Sequence, residues 1–389
     1  MNTRAGTGGA GPPERVIEKF RRLADRAVRR RNRGGHLIVR IESADGSLCW
    51  ETTATGADEV ATPIRPGTPF HLASLTKMYT AALVLRLAAH NRLALTDPIT
   101  AHLPAELTDR LHVLDGHDRS AAITVEHLLA HASGLPDYFT EAPRGRSSLA
   151  ARLTGGVDEA WTVGDVADQV RRLRPHFVPQ ELDARHVRVR YSDTNYQLLG
   201  AIVEAATGAA FAATLRGELL EPLGLHHTWM AGTDGAAERP SPAPIRNRGG
   251  QLDLPLAFDS MGPDGGLIST AADAIGFLRA LHADPDGRLA TMTARWHRFS
   301  FPRDRSALLT PGWPIEYGLG IMRFRAPRVL NAGRRAAALI GHTGSTGSWA
   351  FHSPEDGLYL VGTFDNPRAA GAPYRVVPAL VRAHSDESA

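Results

Sequence analysis

A chain of 389 residues, 43% hydrophobic and 22% charged, has ordinary globular composition and enough length to bury a sizeable core. Its formal net charge is only +3, so bulk charge makes no case for a nucleic-acid partner. A lone cysteine, Cys49, excludes an internal disulfide and a cysteine-rich zinc site.

Residues 1–12 are glycine-rich and polar and are expected to be disordered, and they contain no apolar stretch of the kind a secretory leader needs. No apolar run approaches the ~18 residues of a membrane-spanning helix. The expectation is therefore a cytoplasmic protein without stable membrane insertion. After Pro12-Pro13 a helix is predicted, with Val16, Phe20, Leu23 and Ala27 on one face. The arginine cluster of residues 14–33 reads as its solvated side, since no aromatic interleaving or reader motif accompanies it. Leu37, Val39 and Ile41 alternate as in a strand, Asp45-Gly46 is a hairpin turn, and Leu48–Thr53 is the return strand. A short extended piece precedes Phe70-His71-Leu72, and Ser74–Ala89 is a strongly apolar helix.

From about residue 96 to 280 helical patterns dominate, among them 125–130, 163–173, 195–206 and 271–281. Strands return at 317–324, 337–340, 348–352 and 358–364, and a last helix is predicted over 374–384. Strands at both ends with helices between them predict an α/β (α+β) fold. An antiparallel sheet is flanked by helices and carries an inserted, mostly helical subdomain. In this reading residues 13–389 form one catalytic domain, with the sheet part at about 13–95 and 281–389 and the insertion at about 96–280.

Within this framework the lysine usage is informative. Of 44 basic residues only Lys19 and Lys77 are lysine. Arginine does not release its proton in a protein, whereas a desolvated lysine can, so a lysine kept in this background merits a chemical explanation. Lys77 stands three residues after Ser74, and i, i+3 positions share a helix face. Ser74 would open the helix, where free N–H groups favour developing negative charge. A serine hydroxyl needs a base, and a buried lysine can serve if its charge is destabilised. Ser-x-x-Lys alone is equally compatible with a capping serine and a solvated lysine.

Further downstream lie Tyr191-Ser192-Asp193, opening another helix, and His342-Thr343-Gly344-Ser345 after an apolar strand. With Ser74-x-x-Lys77 these three elements, in this order, resemble the serine β-lactamase and penicillin-binding-protein superfamily. The similarity is to the branch holding class C β-lactamases, D-alanyl-D-alanine carboxypeptidases, D-aminopeptidases and related esterases. It extends to residues 127–136 (HLLAHASGLP), 97–99 with 102–104 (DPI, HLP), 222–225 (PLGL), 265–273 (GGLISTAAD) and 317–320 (YGLG), covering roughly residues 65–365. The resemblance implies a β-lactamase/transpeptidase-like fold and a serine hydrolase that needs no cofactor. In it Ser74 is acylated, Lys77 supports its deprotonation, and Tyr191 carries the proton to the leaving group. The backbone N–H groups of Ser74 and Ser345 form the oxyanion hole. His342 and Thr343, with Gly344, flank the site on an edge strand, where the family binds a substrate carboxylate or polarises Tyr191.

Two departures bear on substrate. His342 stands where lactamases carry lysine, so a permanent carboxylate anchor is lost. Asp193 stands where they carry asparagine; an ionised aspartate cannot donate to a substrate carbonyl and is positioned instead to pair with Lys77. Both predict weak β-lactam hydrolysis at most. The expected substrate is a small ester, an amide or a short peptide. The alternatives are an acyltransferase using the same acyl-enzyme and a catalytically silent binding domain. His127 and His131, four apart, lack the flanking pattern of a zinc site and predict no metal, His226-His227 reads as loop surface, and Trp313 and Trp349 are read as packing residues near the site strands. Oligomeric state is not legible from the sequence.

Overall fold

The computed structural model describes residues 14–31, 36–55, 63–233, 235, 238–247, 250–284, 286–300, 315–328 and 336–388. The stretch expected to be disordered, 1–12, lies outside these residues, as does Trp313.

The chain begins with helix α1 (Glu14–Arg31), strand β1 (His36–Ser43) and strand β2 (Cys49–Thr55). Val16, Phe20, Ala24 and Val28 are the buried stripe of α1, at the three-to-four spacing of one helix face. Leu23 and Ala27 border that stripe, only partly buried. β1 and β2 pair antiparallel across Asp45-Gly46, with Gly46 at φ +76°, the left-handed conformation this turn requires.

The region between the two groups of sheet strands is mainly helical. The helices that matter for the site are α2 (Thr76–Ala89) and α3 (Val125–Leu129) and, after a two-residue strand β3 (Val189–Arg190), α4 (Asp193–Thr207), α5 (Pro255–Gly265) and α6 (Ala271–His282). α2 is apolar nearly all round and buried accordingly. α4 stops at Gly208, whose φ of +70° suits the left-handed position past a helix end. The chain then returns through β4 (His297–Ser300), β5 (Ile315–Tyr317), β6 (Met322–Arg325), β7 (Ala338–Thr343), β8 (Trp349–Ser353) and β9 (Leu358–Thr363) to helix α7 (Pro373–Ser388).

These strands form one nine-stranded sheet in the order β2-β1-β9-β8-β7-β6-β5-β4-β3. Every pairing is antiparallel except β4 with β3. The first hairpin joins the last one directly, Ile38 facing Thr363, so the sheet closes the chain ends on each other. Both faces are covered, which is why β1 reads apolar at consecutive positions. Leu37, Val39 and Ile41 pack with α1 and α7, while Ile38 joins the larger core of the helical region. The mixed α/β fold is as expected from sequence.

Three local expectations are corrected. Residues 317–324 are not one strand but the facing ends of β5 and β6, because Gly318-Leu319-Gly320-Ile321 turns back on itself. Gly320 at φ +73° has no room for a side chain: a Cβ there would meet that of Ala81 at 2.3 Å. β7, which carries His342 and Thr343, is an interior strand between β6 and β8 rather than an edge. The sheet also recruits β3 from within the helical region, through the parallel pair Phe299–Val189, which no local pattern announces.

Candidate active site

Ser74 sits in a 3₁₀ turn, Ala73–Leu75, that leads directly into α2. The residue before it, Ala73, is 2% exposed and adopts φ +49°. A non-glycine residue in this region carries strain and persists only where its surroundings hold it. Here they do. Ser348 Oγ donates to Leu72 O at 2.7 Å, Thr346 Oγ1 donates to His71 O at 3.2 Å, and Leu72 N donates to Leu267 O at 2.8 Å. The turn after β7 is thus fastened against the serine turn. Gly344 makes the approach possible, since a Cβ there would lie 2.5 Å from Leu72 O and 2.1 Å from Ser348 Oγ. Among the described residues no protein acceptor is bonded to the Ser74 or Ser345 backbone N–H. Two donors on facing turns that both line the cleft form an arrangement able to hold an oxyanion.

Lys77 follows on α2 and is completely buried. Its Nζ donates to Ser74 Oγ at 3.2 Å and to Asp264 O at 2.6 Å, and it lies 2.6 Å from Asp193 Oδ1. Two hydrogen bonds and one close ion pair therefore surround Nζ, an environment that suits an ammonium. The rings of Tyr191 and Tyr196 enclose it, with centroids 5.2 and 5.5 Å from Nζ. The pairing of Asp193 with Lys77 foreseen from sequence is present, and it favours Lys77 as a fixed cation over Lys77 as a free base.

Tyr191, just before α4, is hydrogen-bonded to Ser74, and burial followed by the Asp193 charge pushes its phenol well above the ordinary range. Two carboxylates that sequence reasoning missed share this wall. Asp137, immediately after the 127–136 segment, accepts from the backbone N–H of Asp193 at 3.0 Å and of Phe139 at 3.2 Å, and from the Thr140 hydroxyl. Asp264, near the end of α5, accepts from Tyr138 Oη at 2.8 Å and Gln197 Nε2 at 3.0 Å, both through Oδ2. Burial raises both carboxyls, Asp264 to about 7, with Lys77 opposing and Asp193 adding to the rise. The only sequence signal was position, since each adjoins a family-like segment.

On the sheet side the chemistry is neutral. His342 is fully buried and does not line the cleft. Burial, then the Lys77 charge, lowers it to about 3. Its Nδ1, 2.7 Å from Thr343 O, can only donate, which leaves Nε2 to accept from Tyr317 Oη at 3.2 Å. A neutral imidazole so engaged cannot anchor a substrate carboxylate, and its ring stands 6.3 Å from that of Tyr191. Thr343, Gly344 and Ser345 do line the cleft, with Tyr374 of α7 behind them; the Tyr374 hydroxyl is 3.1 Å from Thr343 Oγ1.

The remaining candidates fall outside the cleft. His127 caps α3 through Thr124 and reaches Gln180 O. His131 is buried with Nδ1 accepting from Ser192 N and Asn195 Nδ2. His226 and His227 are exposed, and Trp349 is fully buried against Phe364. Among the described residues no group of three or more His, Cys, Asp or Glu is arranged to hold a metal ion, and no single helix is long and apolar enough to cross a membrane.

Three comparisons set this geometry beside known proteins. The beta-lactamase family model matches residues 25–374. Esterase EstB of Burkholderia gladioli is 31% identical over 329 residues, 75% of this chain and 76% of that protein. A D-stereospecific amidohydrolase from Streptomyces sp. superposes with a TM-score of 0.68 at 26% identity, covering 92% of this chain and 97% of that one. D-amino acid amidase from Ochrobactrum anthropi SV3, in complex with L-phenylalanine, superposes with a TM-score of 0.74 at 22% identity over 96% and 99% of the two chains.

Proposed function

The chain belongs to the beta-lactamase family of serine hydrolases, and on that premise we propose that it cleaves small esters and amides through an acyl-enzyme on Ser74. The observation that carries the reading is the serine itself. Its Oγ lies 3.2 Å from the buried Lys77 ammonium and is hydrogen-bonded to Tyr191, at the wall of a cleft closed opposite by Gly344 and Ser345.

The proton route follows from the charge states that this environment favours. Tyr191 is a neutral phenol, so it acts as a relay. In one concerted step it accepts the Ser74 proton as Oγ attacks the carbonyl and releases its own proton to the leaving-group oxygen or nitrogen, which then departs neutral. Lys77, held by Asp193, stabilises the negative charge that grows on Oγ. The Ser74 and Ser345 N–H groups receive the carbonyl oxygen, each such donor being worth about 3 kcal/mol in the transition state. Water then enters the vacated place and the same relay runs with water as nucleophile. Asp193 cannot donate to a substrate amide and His342 offers no cation, so β-lactams, which present a carboxylate, are poor substrates.

Incubation with a fluorophosphonate or a p-nitrophenyl ester, followed by peptide mass spectrometry, is expected to place the adduct on Ser74, and Ser74→Ala to abolish both adduct and turnover. A folded protein that gains no adduct and turns over no ester would overturn the proposal.

A further inference from the structure

The ionisable groups lining the cleft are unequal in sign. Among the described residues they comprise Asp137, Asp193 and Asp264 together with Tyr191 and Tyr374, and no lysine, arginine or histidine. Among the described residues the one cation within reach, Lys77, is sealed behind the wall and already committed to Asp193. Three buried carboxyl groups thus face a single occupied ammonium.

Their hydrogen bonds locate the deficit. Asp137 has both oxygens engaged by its own loop and by Asp193 N. Asp264 is 4% exposed, and both of its hydrogen bonds fall on Oδ2, leaving Oδ1 without a hydrogen-bond partner. Asp193 is 8% exposed; its Oδ1 forms the ion pair with Lys77, and neither of its carboxylate oxygens accepts a hydrogen bond from the protein. Both residues line the cleft, so a carboxylate oxygen there that takes no donor from the protein is available to a donor on a bound ligand. The elevated carboxyl of Asp264 is the response of such a cluster when no second cation is present.

Resting on the acyl-enzyme reading above, we propose that the acyl half of the substrate carries an ammonium group, received by Asp264 and Asp193. The same wall repels a carboxylate at that position. Phe139, Met261, Met322 and Tyr374 line the remaining surface, so the acyl group pairs this ammonium with an apolar side chain, as in an aminoacyl ester or amide.

The test uses three racemic methyl esters matched in shape, at a pH where the amine is protonated. These are the ester of phenylalanine, the ester of 3-phenylpropanoic acid, which lacks the ammonium, and the monoester of benzylsuccinic acid, which places a carboxylate there. The phenylalanine ester should exceed the neutral one by about 30-fold in kcat/KM, with the carboxylate ester slowest. In Asp264→Asn the ammonium-to-neutral ratio should fall at least fivefold. If the neutral ester is hydrolysed as fast as the ammonium ester while Ser74 is acylated, the ammonium site is wrong and the acyl-enzyme stands. If none of the three acylates Ser74, the reading beneath it fails as well. Should Asp264→Asn not fold, wild-type inhibition decides. Benzylamine should inhibit at least tenfold more tightly than benzyl alcohol, and equal inhibition overturns the proposal.

Discussion

The two walls of the cleft are built on opposite principles. Among the described residues the lysine and carboxyl groups of the cleft lie on the helical wall: Lys77, Asp137, Asp193 and Asp264 are all at least nine-tenths buried. Among the described residues the sheet wall holds none. Thr343 and Tyr374 line it, with His342 and Tyr317 behind them, and these four make neutral hydrogen bonds among themselves. Charges in a low-dielectric setting act strongly and must be fixed, whereas a neutral ladder positions backbone donors cheaply and without a competing field. In the proposed reaction, nucleophile activation and recognition of charge fall to the helical wall, while the oxyanion site is shared between the Ser74 turn and the turn after β7.

The sharpest way to break this contrast is at its one cation. Lys77→Arg keeps the charge but not the geometry. A planar guanidinium cannot donate to Ser74 Oγ and Asp264 O while holding the ion pair to Asp193 Oδ1. We expect kcat/KM to fall by about 10³-fold in a protein that remains folded by circular dichroism. Near-wild-type turnover would remove Lys77 from the chemistry.

A medium effect separates the walls by pH. His342 has a folded value of about 3 against an unfolded 6.5, so between these values the unfolded chain binds the extra proton and stability falls as pH falls. Asp264 has a folded value of about 7 against 3.8, so in that window the folded chain binds the extra proton and stability rises as pH falls. Each group contributes a slope of up to about 1.4 kcal/mol per pH unit. In thermal unfolding from pH 7.5 to 4.5, His342→Gln should lose less Tm than wild type and Asp264→Asn should lose more. Three parallel curves would show that neither group is buried as described.

The smallest change is expected on the sheet side. Tyr374→Phe deletes a hydroxyl 3.1 Å from Thr343 Oγ1 and one neutral hydrogen bond, worth about 1 kcal/mol. KM should rise by no more than about fivefold with kcat within twofold. A hundredfold loss in kcat would mean that the sheet wall carries chemistry, and the contrast would fail.

Much of this was legible in the sequence, for reasons tied to particular residues. Ser74 and Lys77 fall on one face because helix geometry makes i and i+3 neighbours, and the scarcity of lysine marks Lys77 as retained for its amine. The Asp45-Gly46 hairpin and the alternation of β1 follow from backbone preferences that a local window contains. The missed features depend on distant chain. Asp137 and Asp264 are 127 residues apart and carry no motif of their own, so nothing local marks them as one cluster. Residues 317–324 look like a single strand because the constraint that folds them back, Gly320 against Ala81, is a tertiary contact. The burial of β7 between β6 and β8, and with it the neutrality of His342, is equally a matter of which strands come to lie beside it.

By itself the sequence determined the main element types, the mixed α/β fold and the candidate nucleophile with its nearest partners, because periodicity, turn chemistry and motif spacing are local properties. Only the tertiary structure decided the charge of the site. It paired Lys77 with Asp193, made His342 a neutral spacer and gathered three aspartates into one wall, because ionisation depends on desolvation and on neighbours brought together from separate parts of the chain.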